Sequence, residues 1–260
     1  MNQLSLYEDE IHNLTKERSF KVVKSNDLIQ KARFDLNAQQ QKIIYWLISK
    51  IQPEDTELKT IDFKLIDFCK ICGINYDSGT NYKQIKDTIK RLADKSVWVK
   101  TENGSETLIR WIEKPIITNG TVKLKIDEDM KPFLINLKQQ FTQFELYNVL
   151  PMRGKYSMRL YELFKSFQKL TSCSFKVEDL KQNLSCENYK RYPDFKRKVI
   201  VPAIEEINTV TDISVNFIEI KEGRKVVKLK FFLSKADNPN RRILTAFERL
   251  NPIKEKNITE

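Results

Sequence analysis

A single histidine, His12, serves all 260 residues. Its solitude near the N-terminus argues against a Ser-His or Cys-His nucleophile system. It also removes the paired histidines that a metal-dependent nicking enzyme needs. No glycine-rich phosphate loop of the G-x-x-x-x-G-K type occurs among the six glycines. Cysteine is scarce as well. Cys69-Lys-Ile-Cys72 has the spacing of a zinc half-site, but the other two, Cys173 and Cys186, lie thirteen apart and flank a predicted helix. Cys69 and Cys72 fall in the apolar rhythm Ile66, Phe68, Cys69, Ile71, Cys72, which reads as buried core thiols. No stretch of 18 apolar residues exists, which argues against a helical membrane span. Met1 to Arg18 is acidic and polar, without the apolar core of a signal segment. The expectation is a cytosolic chain with free thiols, no metal, no cofactor and no catalytic residue. Asp127, Glu128 and Asp129 are adjacent acids, but a solvated helix start accounts for them better than acid–base work.

What is present is a globular composition, 40% hydrophobic and 31% charged. Its length suits one large domain or two modest ones. Lysine and arginine number 46 against 35 acids, a net charge of +11. The surplus is uneven: residues 1–140 carry a net +3 and residues 141–260 a net +8. A basic second half is the electrostatic footprint of a polyanion partner such as nucleic acid; a soluble basic protein without one is the plainer alternative.

Residues 1–20 read as a weakly structured, flexible N-terminus. Phe20 to Leu28 reads as a short strand and a helix start at Ser25 or Asn26. Asn37 caps a strong helix whose Ile43, Ile44, Leu47, Ile48 and Ile51 share one face, and Pro53 ends it. A short extended piece at Ile61–Phe63 precedes a helix from about Lys64 to Cys72, closed by Gly73. After a loop at Asn75–Asn81 comes a third helix with Tyr82, Ile85, Ile89 and Leu92 on one face. The period then changes to two. Val97–Val99 and Leu108–Ile112 form one predicted hairpin, and Ile116–Ile126 a second around Asn119-Gly120. A helix from about Glu128 to Gln140 is expected to close this unit.

The same order recurs. Ser157–Gln168 is an amphipathic helix, Phe175–Val177 extended, Glu178–Leu184 a short helix and Asn188–Asp194 a basic loop. Phe195–Val210 is a third helix, followed by strands Ile213–Ile220 and Val226–Leu233 across a turn at Lys221–Lys225. Tyr82 falls onto Phe195 at an offset of about 113 residues. Three helices and a hairpin, twice over, predict an α+β chain of two tandem winged-helix domains. The boundaries are 21–142 and 143–236, joined near Gln140–Leu146, with a C-terminal tail at 237–260. A single α+β domain of the same elements is the alternative.

Lys190-Arg191-Tyr192-Pro193-Asp194-Phe195-Lys196-Arg197-Lys198 holds five positive charges and one negative. It falls at the start of the second unit's third helix, where a helix-turn-helix points side chains into the major groove. Lys190, Arg191, Lys196, Arg197 and Lys198 are therefore the main candidate DNA contacts, with a solvated charged loop as the alternative. Phe195, Val199 and Ala203 form an inward stripe that turns Arg197 outward, and Pro202 predicts a kink. Lys221, Arg224 and Lys225 at the hairpin tip suit a wing on phosphates. Lys83, Lys86 and Lys90 recur on one face of the first unit's third helix, diluted by Asp87 and Asp94, and suit backbone contact rather than base reading.

Three stretches resemble the Rep family of plasmid replication initiators, the iteron-binding proteins with two winged-helix domains. They are Val23 to Lys42, Lys155 to Phe164, and Phe195 to Asn208. Together with the element order the resemblance covers roughly residues 20–235. It implies sequence-specific binding of double-stranded origin repeats, opening of adjacent AT-rich DNA, and recruitment of the host helicase and other replication factors. It also implies a homodimer in equilibrium with monomer, dimerisation through the first domain, and repression of the protein's own promoter. The Lys, Ile and Asn bias hints at an AT-rich bacterial host. Two other functions stay open at this stage. One is a winged-helix repressor that never initiates replication. The other is a nickase or relaxase acting through Tyr161 or Tyr189.

Overall fold

The computed structural model describes residue 13 and residues 16–74, 79–100, 104–237 and 239–250. Strand β1 (Lys21–Ser25) runs into helix α1 (Asn26–Gln30), whose first turn is capped by the Ser25 hydroxyl accepting from the Leu28 N–H at 3.2 Å. Helix α2 (Ala38–Ser49) starts with a full capping box. The Asn37 side chain accepts from the Gln40 N–H, and the Gln40 side chain accepts from the Asn37 N–H. Ile43, Ile44, Leu47 and Ile48 are buried, and Trp46 meets Phe63 and Phe68 edge-on at 4.6 and 5.5 Å. Those rings fasten α2 to β2 (Ile61–Lys64) and α3 (Leu65–Ile71). Helix α4 (Gly79–Ala93) follows and begins earlier than the expected loop would allow; residues 75–78 lie outside the described set.

Strands β3 (Ser96–Lys100) and β4 (Glu106–Arg110) make a two-stranded ribbon, while β5 (Ile116–Thr118) and β6 (Thr121–Leu124) join β2 in the order β2-β6-β5. Asn119 and Gly120 take φ of 48° and 79°, the pair of left-handed residues that a two-residue hairpin turn of this hand requires. The long helix expected over Glu128–Gln140 does not form. A 3-10 turn (Glu128–Met130) and short α5 (Lys131–Leu134) occupy its start, and left-handed Asn136 and Gln140 turn the chain out of helix. The chain then enters β7 (Phe141–Glu145), which pairs antiparallel with β1 through Val22↔Phe144. The expected joint at Gln140–Leu146 is thus occupied by a paired strand.

Helix α6 (Lys155–Phe167), β8 (Ser172–Lys176), α7 (Val177–Asn183), α8 (Tyr192–Phe195), a π turn (Lys196–Ile200) and α9 (Val201–Val210) lead to β9 (Ile213–Glu222) and β10 (Lys225–Lys235). The sheet order β8-β10-β9 repeats β2-β6-β5, so each unit lays a strand that joins two helices, α2 and α3 or α6 and α7, against the later hairpin. The fold is α+β with two winged-helix units, and β3–β4 is an insertion in the first.

The two units share packing along α6. Phe144 stacks edge-on between Tyr45 and Tyr161, at 5.8 and 5.4 Å. Beside them lies a buried ion cluster. Lys24 Nζ is 2.6 Å from Glu162 Oε2, and Arg159 donates to the other Glu162 oxygen and to the carbonyls of Ile29 and Ala32 at 3.4 and 3.3 Å. The Lys24 ammonium also lies 5.5–6.0 Å from the ring centres of Phe34, Tyr45 and Trp111. Burial alone would raise the Glu162 carboxyl, but Lys24 and Arg159 outweigh it and hold it below the ordinary glutamate range.

Both termini contribute anchors. Residues 16–18 form a helical turn, and Arg18 donates to the carbonyls of Ile71 and Lys70 at 2.9 and 2.8 Å; the rest of the expected flexible N-terminus lies mainly outside the described residues. In the tail, α10 (Pro239–Leu250) buries Ala246 and Leu250. Its Arg242 donates to the carbonyls of Thr211 and Ile213, and its Arg249 pairs with Glu206 at 3.2 Å. Its end meets the first unit at Gly73, where a Cβ would lie 2.7 Å from the Leu250 Cα; Gly73 also sits at φ 64°. All four thiols are free and buried, and burial pushes them up to about 11 for Cys69 and about 12 for the others.

Candidate nucleic-acid interface

Helix α7 ends in a tight turn through Ser185 at φ 49°, and the chain re-enters helix at Tyr192 with Pro193 in the first turn, which needs no N–H partner there. The helix begins inside the segment expected to be loop. Phe195, Val199 and Ala203 are all buried, so the inward stripe forms as the spacing predicts. Arg197 points away from it, with 72% of its side chain exposed and only a loose 3.3 Å contact to Asp194.

The expected disturbance at Pro202 takes the form of the π turn. The Val201 N–H donates to the Lys196 carbonyl, five residues back. Pro202 has no N–H to send to residue 198, and a one-residue widening just before it lets the helix continue without a broken strut. The widening falls on Lys196-Arg197-Lys198, the basic triplet itself.

Lys190, Arg191 and Lys198 are exposed, Lys198 lying 5.9 Å over the Tyr189 ring. Lys196 is half-buried: its ammonium is 2.7 Å from Glu219 on β9 and 5.8 Å over the Phe217 ring. Tyr192 donates to the same Glu219 oxygen at 2.7 Å. Glu219 was not among the residues singled out from sequence, where it reads as an ordinary strand acid.

The wing is longer and tighter than the sequence suggests. Glu222 pairs with Lys225 across a two-residue connection, Gly223-Arg224, with Gly223 at φ 59°. Lys221 and Lys225 are therefore strand residues and only Arg224 is at the tip. A cleft of about 660 Å³ separates this tip from the start of α8 and is lined by Lys196, Lys221, Arg224 and Lys225. The structure thus brings helix start and wing together around one basic hollow. Lys83, Lys86 and Lys90 are exposed on α4 and do not line it.

Tyr161 is fully buried and donates to Asp212 at 2.7 Å, which takes it out of reach of a DNA strand. Tyr189 is half-buried beneath Lys198. No group of three or more His, Cys, Asp or Glu side chains that could hold a metal ion occurs among the described residues. No helix among them is long and apolar enough to cross a membrane.

Comparison with known proteins matches residues 21–165 to the family described as initiator replication protein, WH1, and residues 176–233 to that described as initiator Rep protein, WH2. The "PI protein" of Escherichia coli is 35% identical over 143 residues, covering 48% of this chain and 47% of that protein. A "Replication initiation protein" of Escherichia coli is 25% identical over 224 residues, covering 81% of this chain and 68% of the relative. The chain thus spans about half the length of the first relative. The α10 helix lies beyond both matched regions.

Proposed function

The chain belongs to the initiator Rep protein family, and from that premise we propose that it initiates plasmid replication by binding repeated origin sites sequence-specifically. Residues 143–236 carry the main recognition, and residues 21–142 supply dimerisation and auxiliary backbone contact. The observation that carries this reading is the pair of exposed cations on the π turn, Arg197 and Lys198, on the helix whose start shares one cleft with the basic wing. An outward Arg197 can present its planar fork to guanine O6 and N7, Lys190 and Arg191 flank it, and Lys221, Arg224 and Lys225 supply phosphate contacts. Lys83, Lys86 and Lys90 add a weaker field from the first unit. The protein acts as a DNA-binding protein without catalysis or cofactor, in the bacterial cytoplasm with its plasmid. It opens adjacent AT-rich DNA and recruits the host helicase and other factors.

The dimer form, which would repress the protein's own promoter, fits the β3–β4 ribbon. Trp98 and Leu108 are cross-strand partners, 49% and 53% exposed, and among the described residues β4 pairs with β3 alone. An apolar pair beside an open strand edge is a surface that a second copy covers. A plasmid holding only this gene and its upstream repeats tests the whole reading. Replication supports an initiator. Repression of the gene without replication supports the repressor alternative.

A further inference from the structure

Within the proposed DNA-reading site, Glu219 is the one acidic side chain among the described residues lining a cleft that holds four cations, Lys196, Lys221, Arg224 and Lys225, beside Tyr192, Pro193 and Val226. An acid there works against phosphate binding, so its position calls for a separate account. Its carboxylate is not idle. One oxygen accepts from the Lys196 ammonium and from the Tyr192 hydroxyl, each at 2.7 Å, and these two bonds hold the carboxyl below the ordinary glutamate range. Tyr192 opens α8, Lys196 opens the π turn, and Glu219 stands on the wing strand β9. One carboxylate oxygen therefore ties three elements.

We propose that Glu219 is a specificity-determining positioning residue: with Tyr192 it fixes the reading helix to the wing and withholds Lys196 from indiscriminate phosphate contact. The consequences follow from the chemistry of the pair. A π turn is a weak point in a helix, and the triplet it carries needs an external brace if Arg197 is to meet a base edge in one orientation. A lysine already bound to a carboxylate gains less from a random phosphate than a free lysine does. The clamp thus raises the ratio of cognate to random affinity from both sides, by holding the reader and by muting a non-reader.

This rests on the DNA-reading role proposed above, and its test separates the two. The full chain and its Glu219→Ala and Tyr192→Phe variants are titrated with a duplex carrying the upstream repeats and with a random duplex of equal length, over a series of salt concentrations. For Glu219→Ala, repeat affinity falls by about tenfold, a loss the size of one mismatched base pair. Random-duplex affinity holds or rises, and its salt slope steepens by about one ion as Lys196 is freed. Tyr192→Phe lowers repeat affinity by a smaller factor with an unchanged salt slope, since it removes a hydrogen bond and no charge. Equal losses on both duplexes, or a Tyr192→Phe variant identical to wild type beside a damaged Glu219→Ala, would overturn the clamp; the second pattern would make Glu219 a direct base contact. A wild-type chain with no preference for the repeats would overturn the DNA reading, and the clamp with it.

Discussion

The two winged-helix units share a sheet order and differ in the helix that precedes it. In the first, α4 is a regular helix that shows Lys83, Lys86 and Lys90 on a face also occupied by Asp87 and followed by Asp94. Its wing is three and four residues long, with an uncharged Asn119-Gly120 tip. In the second, five cations and one acid span the approach to the helix and its first turns, the helix passes through a π turn, and the wing has strands of ten and eleven residues with Lys221, Arg224 and Lys225 at or beside its tip. The backbone plan is held in common, while charge, helix geometry and wing length have separated. These differences are what the proposed division rests on: base reading in the second unit, pairing with a copy and backbone contact in the first.

The largest effect expected from breaking this arrangement comes where the units meet. Glu162→Ala leaves Lys24 and Arg159 buried without their anion and should cost about 3–5 kcal/mol in urea unfolding. The same carboxyl has a pH signature. Its folded pKa lies below the ordinary value, so its stabilising contribution is complete above the ordinary glutamate range and is lost as pH falls through the lower, folded value. Glu162→Gln should flatten that acid limb. Next is Arg197→Ala, which should cost roughly 1–3 kcal/mol on the repeats and much less on random duplex at fixed salt. Equal loss on both would demote Arg197 to a backbone contact. Lys225→Ala should weaken both duplexes alike and make the salt slope shallower by about 0.9. The smallest effect belongs to Lys86→Ala on α4, a uniform loss of a few tenths of a kcal/mol, about the value of an exposed charge contact.

Much of this architecture was legible in the sequence because it is local. The Ser25 and Asn37 caps, the α2 stripe, the Asn119-Gly120 turn and the outward Arg197 each follow from residues within one or two turns of each other. Strand β7 was not legible. Its pairing with β1 spans 120 residues, and of the two left-handed residues between α5 and β7, Asn136 and Gln140, only Asn136 is of a type that favours that conformation. Lys24, Arg159 and Glu162 look like surface charges until α6 packs on β1, although Lys24 does sit two residues beyond buried Val22 on the inward side of its strand. Helix α10 lies in the stretch read from sequence only as a C-terminal tail. The clamp at Glu219 needed the wing folded back onto α8.

The division of labour between the two units is tested most directly by the ratio of repeat to random-duplex affinity in two paired variants of the full chain. Removing Arg191 and Arg197 together should lower that ratio by tenfold or more, roughly the value of one good bidentate base contact. Removing Lys83 and Lys86 together should weaken both duplexes and leave the ratio where it was. A ratio that collapses with the lysines of α4 and survives loss of the two arginines would contradict the account and place base reading in the first unit.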